Sequence, residues 1–104
     1  MIDRSKIEEI RERIYENEKK IAGLEDEIER IKNEKMDLNK YLKTRGMITE
    51  LEFEVADLYR FLFLIGEATI EEYAYAWDIL FGKVREIEEF LNKMERQNED
   101  GKSN

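Results

Sequence analysis

Hydrophobic residues recur with a heptad spacing along the first half of the chain. With Ile7 taken as position a, this spacing holds over residues 7–45. The a and d positions up to residue 31 are Ile7, Ile10, Ile14, Asn17, Ile21, Leu24, Ile28 and Ile31. A seam of this kind is unfavourable in water and must pack against another helix. The pattern therefore predicts a coiled-coil helix over residues 5–45.

Charges beside the seam indicate how two copies would pair. In a parallel, in-register pair, each g residue faces the next e residue of its partner. Three such pairs are of opposite sign: Arg13–Glu18, Lys20–Glu25 and Glu27–Lys32. Residues 7–45 thus resemble a parallel dimeric coiled coil, and we expect the eight seam residues to form a homodimer interface. Isoleucine at two of the d positions is also compatible with a trimer.

Helix boundaries are predicted from local signals. Three capping boxes place a hydroxyl side chain three residues before a glutamate: Ser5–Glu8, Thr49–Glu52 and Thr69–Glu72. Each predicts a helix start. Gly46 and Gly66 are predicted to end the first two helices in the left-handed conformation. The predicted helices run over 6–45, over 50–65 and from residue 70 onward.

These signals predict an all-α fold. A coiled-coil dimerisation helix over 5–45 is followed by a compact helical unit over 47–97, either a helical hairpin or a helix-turn-helix. Residues 98–104 are polar and predicted to be disordered. Because the first predicted helix is more than twice as long as the second, we expect its N-terminal two thirds to project and pair with another subunit.

Composition excludes several kinds of chemistry. The 104 residues include no Pro, no Cys and no His, so disulfides, thiolate metal sites and histidine catalysis are unavailable. No apolar run reaches the roughly 18 residues of a membrane span, and the N-terminus has no apolar signal region, so we expect a cytoplasmic protein. Charged residues form 42% of the chain, a bias typical of hyperthermophile proteins.

Charge is distributed unevenly along the chain. Residues 1–46 hold 12 basic and 12 acidic side chains, whereas residues 47–97 hold 5 basic and 12 acidic ones. The compact unit is therefore the acidic part of a protein with net charge −8. Duplex DNA binding depends on Lys and Arg neutralising phosphates, so this balance favours a protein partner at least as well as DNA.

One segment suggests a specific function. Residues 58–94 contain Gly66, a Thr-x-Glu-Glu segment starting at Thr69, Ala74, Ile79 and the run 82–85. These positions resemble the helix-turn-helix core of winged-helix DNA-binding domains. The resemblance implies a turn near Asp78 followed by a recognition helix. It also implies nucleic-acid contacts at Lys83 and Arg85. The basic stretch of the first predicted helix, which includes Lys40 and Lys43, would add a second contact.

A second interpretation of this segment uses its hydrophobic spacing. The residues with uninterrupted 3–4 spacing are Ile70, Tyr73, Trp77, Leu80, Val84, Ile87, Leu91 and Met94. This spacing predicts one continuous helix that buries Leu80, which the helix-turn-helix leaves exposed. A break near Asp78 would favour DNA binding, and a straight helix would favour a protein-interaction module.

The sequence thus predicts macromolecular interaction rather than catalysis, with no cofactor, no metal and no small-molecule substrate. The leading hypothesis is a non-enzymatic homodimeric protein-interaction or structural module with an unidentified protein partner. The runner-up is a small helix-turn-helix transcriptional regulator dimerised by its coiled coil. A third is an acidic surface that imitates nucleic acid and blocks a nucleic-acid-binding protein. Residues 10–14 resemble the start of the first helix of helical chorismate mutases, but the cationic core pocket of that family has no counterpart along the seam.

Overall fold

Three long helices make up the protein. The computed structural model describes the backbone of residues 2–102 and the side chains of residues 2–96. Helix α1 spans Arg4–Asn33, α2 spans Leu38–Leu64 and α3 spans Ile70–Lys102. They form an up-down bundle 66 Å long and 22 Å by 15 Å across. The predicted all-α class is confirmed, and none of the described helices is long and apolar enough to cross a membrane.

The first turn lies earlier than the sequence predicted. Helix α1 ends at Asn33, so the predicted continuous helix over 5–45 is wrong. Glu34 leaves the helix with an extended backbone (φ −96°, ψ −166°), and Asp37 caps α2 by accepting a hydrogen bond from the Lys40 backbone N–H at 3.2 Å. The charged Lys35 already interrupts the seam here. The later seam residues Leu38 and Leu42 lie on α2 and are each 38% exposed.

Two predicted boundary signals lie inside α2. Gly46 does not end a helix, and Thr49 does not start one, since both belong to the uninterrupted helix Leu38–Leu64. The Thr49 hydroxyl instead donates a hydrogen bond to the Arg45 carbonyl at 2.9 Å. A glycine within a helix costs only about 1 kcal/mol, which tertiary packing readily offsets. At the start of α1, Asp3 takes the N-cap position that was predicted for Ser5.

The second turn lies where the sequence predicted it. Gly66 has φ 80°, the left-handed conformation expected after a helix. The Thr69–Glu72 capping box is complete: the Glu72 backbone N–H donates to the Thr69 hydroxyl at 3.1 Å, and the Glu72 carboxylate accepts from the Thr69 backbone N–H at 3.1 Å. These bonds fix the chain reversal between α2 and α3.

Helix α3 is continuous past Asp78. The helix runs unbroken over Ile70–Lys102, and Leu80 is 1% exposed. The prediction of one straight helix is confirmed, and the turn required by the helix-turn-helix is absent. The helical backbone includes residues 98–102 of the predicted tail, while residues 103 and 104 lie outside the described residues.

The isoleucine seam of α1 is buried within its own chain. Ile14 is 4% exposed and Ile28 is 1% exposed. The same core receives four large side chains from α2: Tyr41, Ile48, Val55 and Leu62. The seam therefore has its covering helix in the monomer, supplied by the chain reversal at residues 34–37.

Helix α2 lies between the other two helices. It packs against both α1 and α3, whereas within the described backbone no Cα atom of α1 lies within 8 Å of one of α3. Two side-chain ion pairs nevertheless join α1 to α3: Arg11 with Glu72 at 4.0 Å, and Lys83 with Glu25. The bundle is thus open along one side, where a groove runs between α1 and α3.

Candidate functional site: a charged groove and an aromatic face

The open side of the bundle, here called the α1–α3 groove, has three adjoining sections. The largest, called the wide section, encloses about 540 Å³. The middle section encloses about 370 Å³, and the smallest, called the narrow section, about 220 Å³. The wide and middle sections share Glu25, Lys83 and Glu86, and the middle and narrow sections share Glu18 and Glu52. The shared walls make one continuous depression whose floor is α2.

The middle of the groove is crossed by an ion pair. The Lys83 ammonium of α3 pairs with the Glu25 carboxylate of α1. Glu52 of α2 lies in the floor beneath this ion pair and is only 6% exposed. Ile21 and Ile79 form apolar walls between these charges. The groove therefore already holds one alkylammonium group among carboxylates and aliphatic side chains.

The wide section has an aromatic wall and a buried cation. The rings of Tyr41 and Phe90 are 4.2 Å apart between centroids. Arg45 is 5% exposed, its Nε–H donates to the Tyr41 hydroxyl at 3.3 Å, and its Nη2 lies 3.5 Å from a Glu86 carboxylate oxygen. The Lys32 ammonium lies 6.0 Å from the Phe90 ring centroid. Cations in this section thus lie against aromatic faces.

The narrow section is lined by carboxylates and tyrosines. Glu18 and Glu52 face it together with Tyr59 and Tyr75. Burial raises the pKa of the Tyr59 hydroxyl, and the nearby Glu18 and Glu72 carboxylates raise it further while Arg11 lowers it. Tyr59 is therefore a neutral hydrogen-bonding group at neutral pH.

Glu52 is the most perturbed acidic group in the groove. Burial raises the pKa of its carboxyl above the usual value because the ionised form loses water. The Lys83 ammonium lowers this pKa, and the Glu25 and Glu18 carboxylates raise it. Removing Lys83 would therefore favour the protonated form of Glu52, whereas a second cation beside it would favour the ionised form.

The acidic side chains of the groove are spread along it. Among the described residues no group of three or more Asp or Glu side chains is placed to hold a metal ion. Glu18 and Glu25 are seven residues apart on α1, which corresponds to about 10 Å along the helix axis. Separated carboxylates of this kind suit an extended ligand better than a single ion.

A second surface, here called the aromatic face, lies on α3. It consists of Ile70, Ala74, Trp77 and Phe81, which recur at helical spacing on one side of the helix. Ile70 is 52% exposed and Phe81 is 58% exposed. The Trp77 and Phe81 rings stack with centroids 5.6 Å apart. Trp77 is partly buried, so the exposed apolar surface consists mainly of Ile70 and Phe81. Neighbouring exposed apolar side chains of this kind are characteristic of interaction surfaces.

The aromatic face points away from the groove. The α3 residues that reach toward α1, including Glu72 and Lys83, lie about half a helical turn around α3 from the aromatic face. Tyr73 joins the two regions, because its ring lies 5.7 Å from Phe63 of α2 and 6.3 Å from Trp77. The two surfaces are thus separate and can act independently.

The four predicted nucleic-acid contacts do not form one patch. Lys83 is in the groove and paired with Glu25, and Lys40 lies 3.9 Å from Glu27. Arg85 is exposed, two residues after Lys83 and therefore on nearly the opposite side of α3. Lys43 is exposed on α2. The structure does not bring these cations together.

The eight predicted dimer-interface residues are all covered, at least in part, within one chain. Six of them are buried: Ile7, Ile14, Asn17, Ile21, Ile28 and Ile31. Ile10 and Leu24 pack against the same core. The homodimer stays a prediction. Because the seam is covered within one chain, it no longer requires a second chain to bury it. The Asn17 side chain has no hydrogen-bond partner at Nδ2 among the described residues.

Sequence reasoning missed the charged floor of the groove. Arg45 was predicted to end a helix, and Glu52 was predicted to complete a capping box, yet both are buried side chains of α2. A signal was present, since Tyr41, Arg45, Ile48 and Glu52 share one face of a helix when α2 is extended back through Gly46. The error in the helix boundary concealed it.

The described residues thus provide a groove with mixed charge and an exposed aromatic face, on different sides of the bundle. No family model, no curated protein and no solved structure matches this chain.

Proposed function

We propose that this chain is a non-enzymatic helical module that binds another polypeptide, and that this polypeptide is a second copy of itself. The aromatic face carries the proposal. Ile70 and Phe81 are more than half exposed, next to the stacked Trp77 ring. Burying such side chains contributes about 25 cal/mol per Å² of apolar surface, so a covered face is favoured over an open one.

The pattern along α3 supports a copy of this chain as the occupant. In an antiparallel crossing centred between Trp77 and Asp78, Phe81 of one protomer faces Ala74 of the partner subunit. A large side chain then meets a small one twice, as two-fold symmetry requires. This dimer uses α3 and leaves the isoleucine seam of α1 in its own core.

Charges at the edge of the face support the same arrangement. Glu71 and Arg85 are both exposed and lie about two helical turns on either side of the centre. In the antiparallel crossing, Arg85 of one protomer approaches Glu71 of the partner subunit, and the symmetry repeats the pair. Opposite charges at an interface edge favour correct pairing and penalise other registers.

Sedimentation equilibrium of charge-reversal variants tests this arrangement. Arg85→Glu and Glu71→Arg should each weaken the dimer roughly tenfold, because two symmetry-related pairs become repulsive. The double variant should restore dimerisation. Lys43→Glu makes the same charge change on exposed α2 and should have little effect. A wild-type chain that sediments as a monomer at every concentration would exclude the proposed dimer.

The alternative function, DNA binding through a helix-turn-helix, loses its main support. It requires a turn near Asp78 and an exposed Leu80, whereas α3 is continuous there and Leu80 is buried. We therefore expect no binding to a labelled random duplex in fluorescence anisotropy between about 50 and 200 mM salt. Binding that weakens steeply as salt rises would reverse this choice.

A further inference from the structure

The α1–α3 groove contains a buried acid that no protein group satisfies. Glu52 is 6% exposed and faces the narrow and middle sections of the groove. Among the described residues, no ion pair and no side-chain hydrogen bond includes its carboxylate. The Glu52 carboxylate oxygens are open to the groove, because Asn17 Nδ2 is the one described side-chain atom that is both fully buried and unpaired. A ligand in the groove that supplies N–H donors would therefore make hydrogen bonds that the protein itself does not provide.

Lys83 indicates which chemistry the groove accepts. Its aliphatic stem and ammonium lie in the middle section with only 22% of the side chain exposed, and the ammonium pairs with Glu25. The apolar walls Ile21 and Ile79 line the same section. A primary ammonium on a methylene chain is thus already accommodated between carboxylates and isoleucines, by a residue of the protein itself.

Further carboxylates lie on both sides of Lys83. Glu18 and Glu52 line the narrow section, while Asp26 and Glu29 line the wide one. The wide section also has the aromatic pair Tyr41–Phe90, but Arg45 and Lys32 of the protein already lie against these rings. Positive charges separated by short aliphatic segments would match the carboxylates of the narrow and middle sections and the isoleucines between them.

We infer that the α1–α3 groove binds a linear aliphatic polyamine. One ammonium group is held by Glu18 and Glu52, another lies beside Asp26 and Glu29, and methylene segments cover the isoleucines between them. Each terminal ammonium offers three N–H donors, so it can bond a carboxylate and a tyrosine hydroxyl together. This activity uses the side of the bundle opposite to the aromatic face and is independent of the proposed dimer.

Calorimetric titration of the full chain with spermidine at low salt tests the inference. Glu52→Gln keeps the shape of the side chain and removes its charge, and it should weaken binding roughly tenfold. Glu50→Gln makes the same charge change two residues away, at an exposed position outside the groove, and should leave the affinity nearly unchanged. Lys83→Met retains the aliphatic stem and frees Glu25, so it should tighten binding.

Two outcomes would overturn the inference. The first is the absence of any binding to the wild-type chain. The second is an equal loss in Glu52→Gln and Glu50→Gln, because spermidine would then respond only to the net charge of −8. If circular dichroism shows that Glu52→Gln fails to fold, Glu18→Gln replaces it: Glu18 is exposed and lines the same section, and its substitution should weaken binding several-fold.

Discussion

The isoleucine seam of α1 and the aromatic face of α3 have the same kind of hydrophobic pattern, but the seam is buried and the aromatic face is exposed. Both are apolar residues at helical spacing along one side of a long helix. Ile14 and Ile28 of the seam are at most 4% exposed, whereas Ile70 and Phe81 of the aromatic face are more than half exposed. Hydrophobic spacing shows that a side must be covered, but it does not show which helix covers it.

The path of the chain determines which of the two apolar surfaces is covered. The turn at residues 34–37 returns α2 along α1 and covers the seam at once. Helix α3 has α2 on one side only, and its contact with α1 is limited to side chains across the groove. The outer side of α3 is therefore left uncovered by its own chain, whereas the seam is covered.

The largest expected effect is on the seam. Ile28→Ala should lower the free energy of unfolding by about 2–5 kcal/mol, because it leaves a cavity in a fully buried site. Phe81→Ala, on the aromatic face, should change the stability of the monomer by about 0.5 kcal/mol or less. Urea unfolding at low protein concentration measures both. Equal losses would mean that the two regions do not differ as described.

The polar member of the seam gives the next test. Asn17 is 5% exposed with an unpaired Nδ2, and a buried unsatisfied polar group costs about 1–3 kcal/mol. Asn17→Leu should therefore raise the free energy of unfolding by an amount of that order. Asn92→Leu is the control, since Asn92 is exposed on α3. A destabilised Asn17→Leu variant would show that the amide does find a partner in the folded chain.

Two glycines test the chain reversal that covers the seam. Gly46 lies inside α2 with open space around its Cα, so Gly46→Ala should stabilise the protein by about 0.5–1 kcal/mol. Gly66 has φ 80°, so Gly66→Ala should destabilise it by about 1–2 kcal/mol. Thermal unfolding distinguishes the two signs. A destabilising Gly46→Ala would place a helix end at residue 46 after all.

The smallest expected effect is the pH dependence of stability that Glu52 causes. Because burial raises the pKa of Glu52 in the folded state, that state binds its proton more tightly than the unfolded chain does. The Glu52 contribution to stability therefore falls as pH rises from the unfolded pKa, about 4.3, through the higher folded pKa.

Glu52→Gln removes this titration. The variant should be more stable than the wild type at neutral pH, and the difference should shrink as pH falls below the folded pKa and vanish below the unfolded one. Urea midpoints measured across this range provide the comparison, with Glu50→Gln as the exposed control. A difference that does not depend on pH would show that Glu52 ionises normally.

The candidate sites were predictable only in part. Continuous 3–4 spacing predicted the straight α3, the buried Leu80 and the row of residues that includes Trp77. The groove was not predicted, because its charged residues come from all three helices: Glu25 from α1, Arg45 and Glu52 from α2, and Lys83 from α3. Side chains this far apart in sequence become neighbours only after the helices have packed.

The sequence by itself determined the helical class, the apolar sides of the helices and the second turn. These depend on local physics: side-chain periodicity, a left-handed Gly66 and a capping box at Thr69. Tertiary structure decided where α1 ends, because no Gly or Pro marks residues 34–37 and a heptad seam gains equally from α2 or from another chain. Packing within the chain resolved that choice and, by leaving α1 and α3 apart, created the groove.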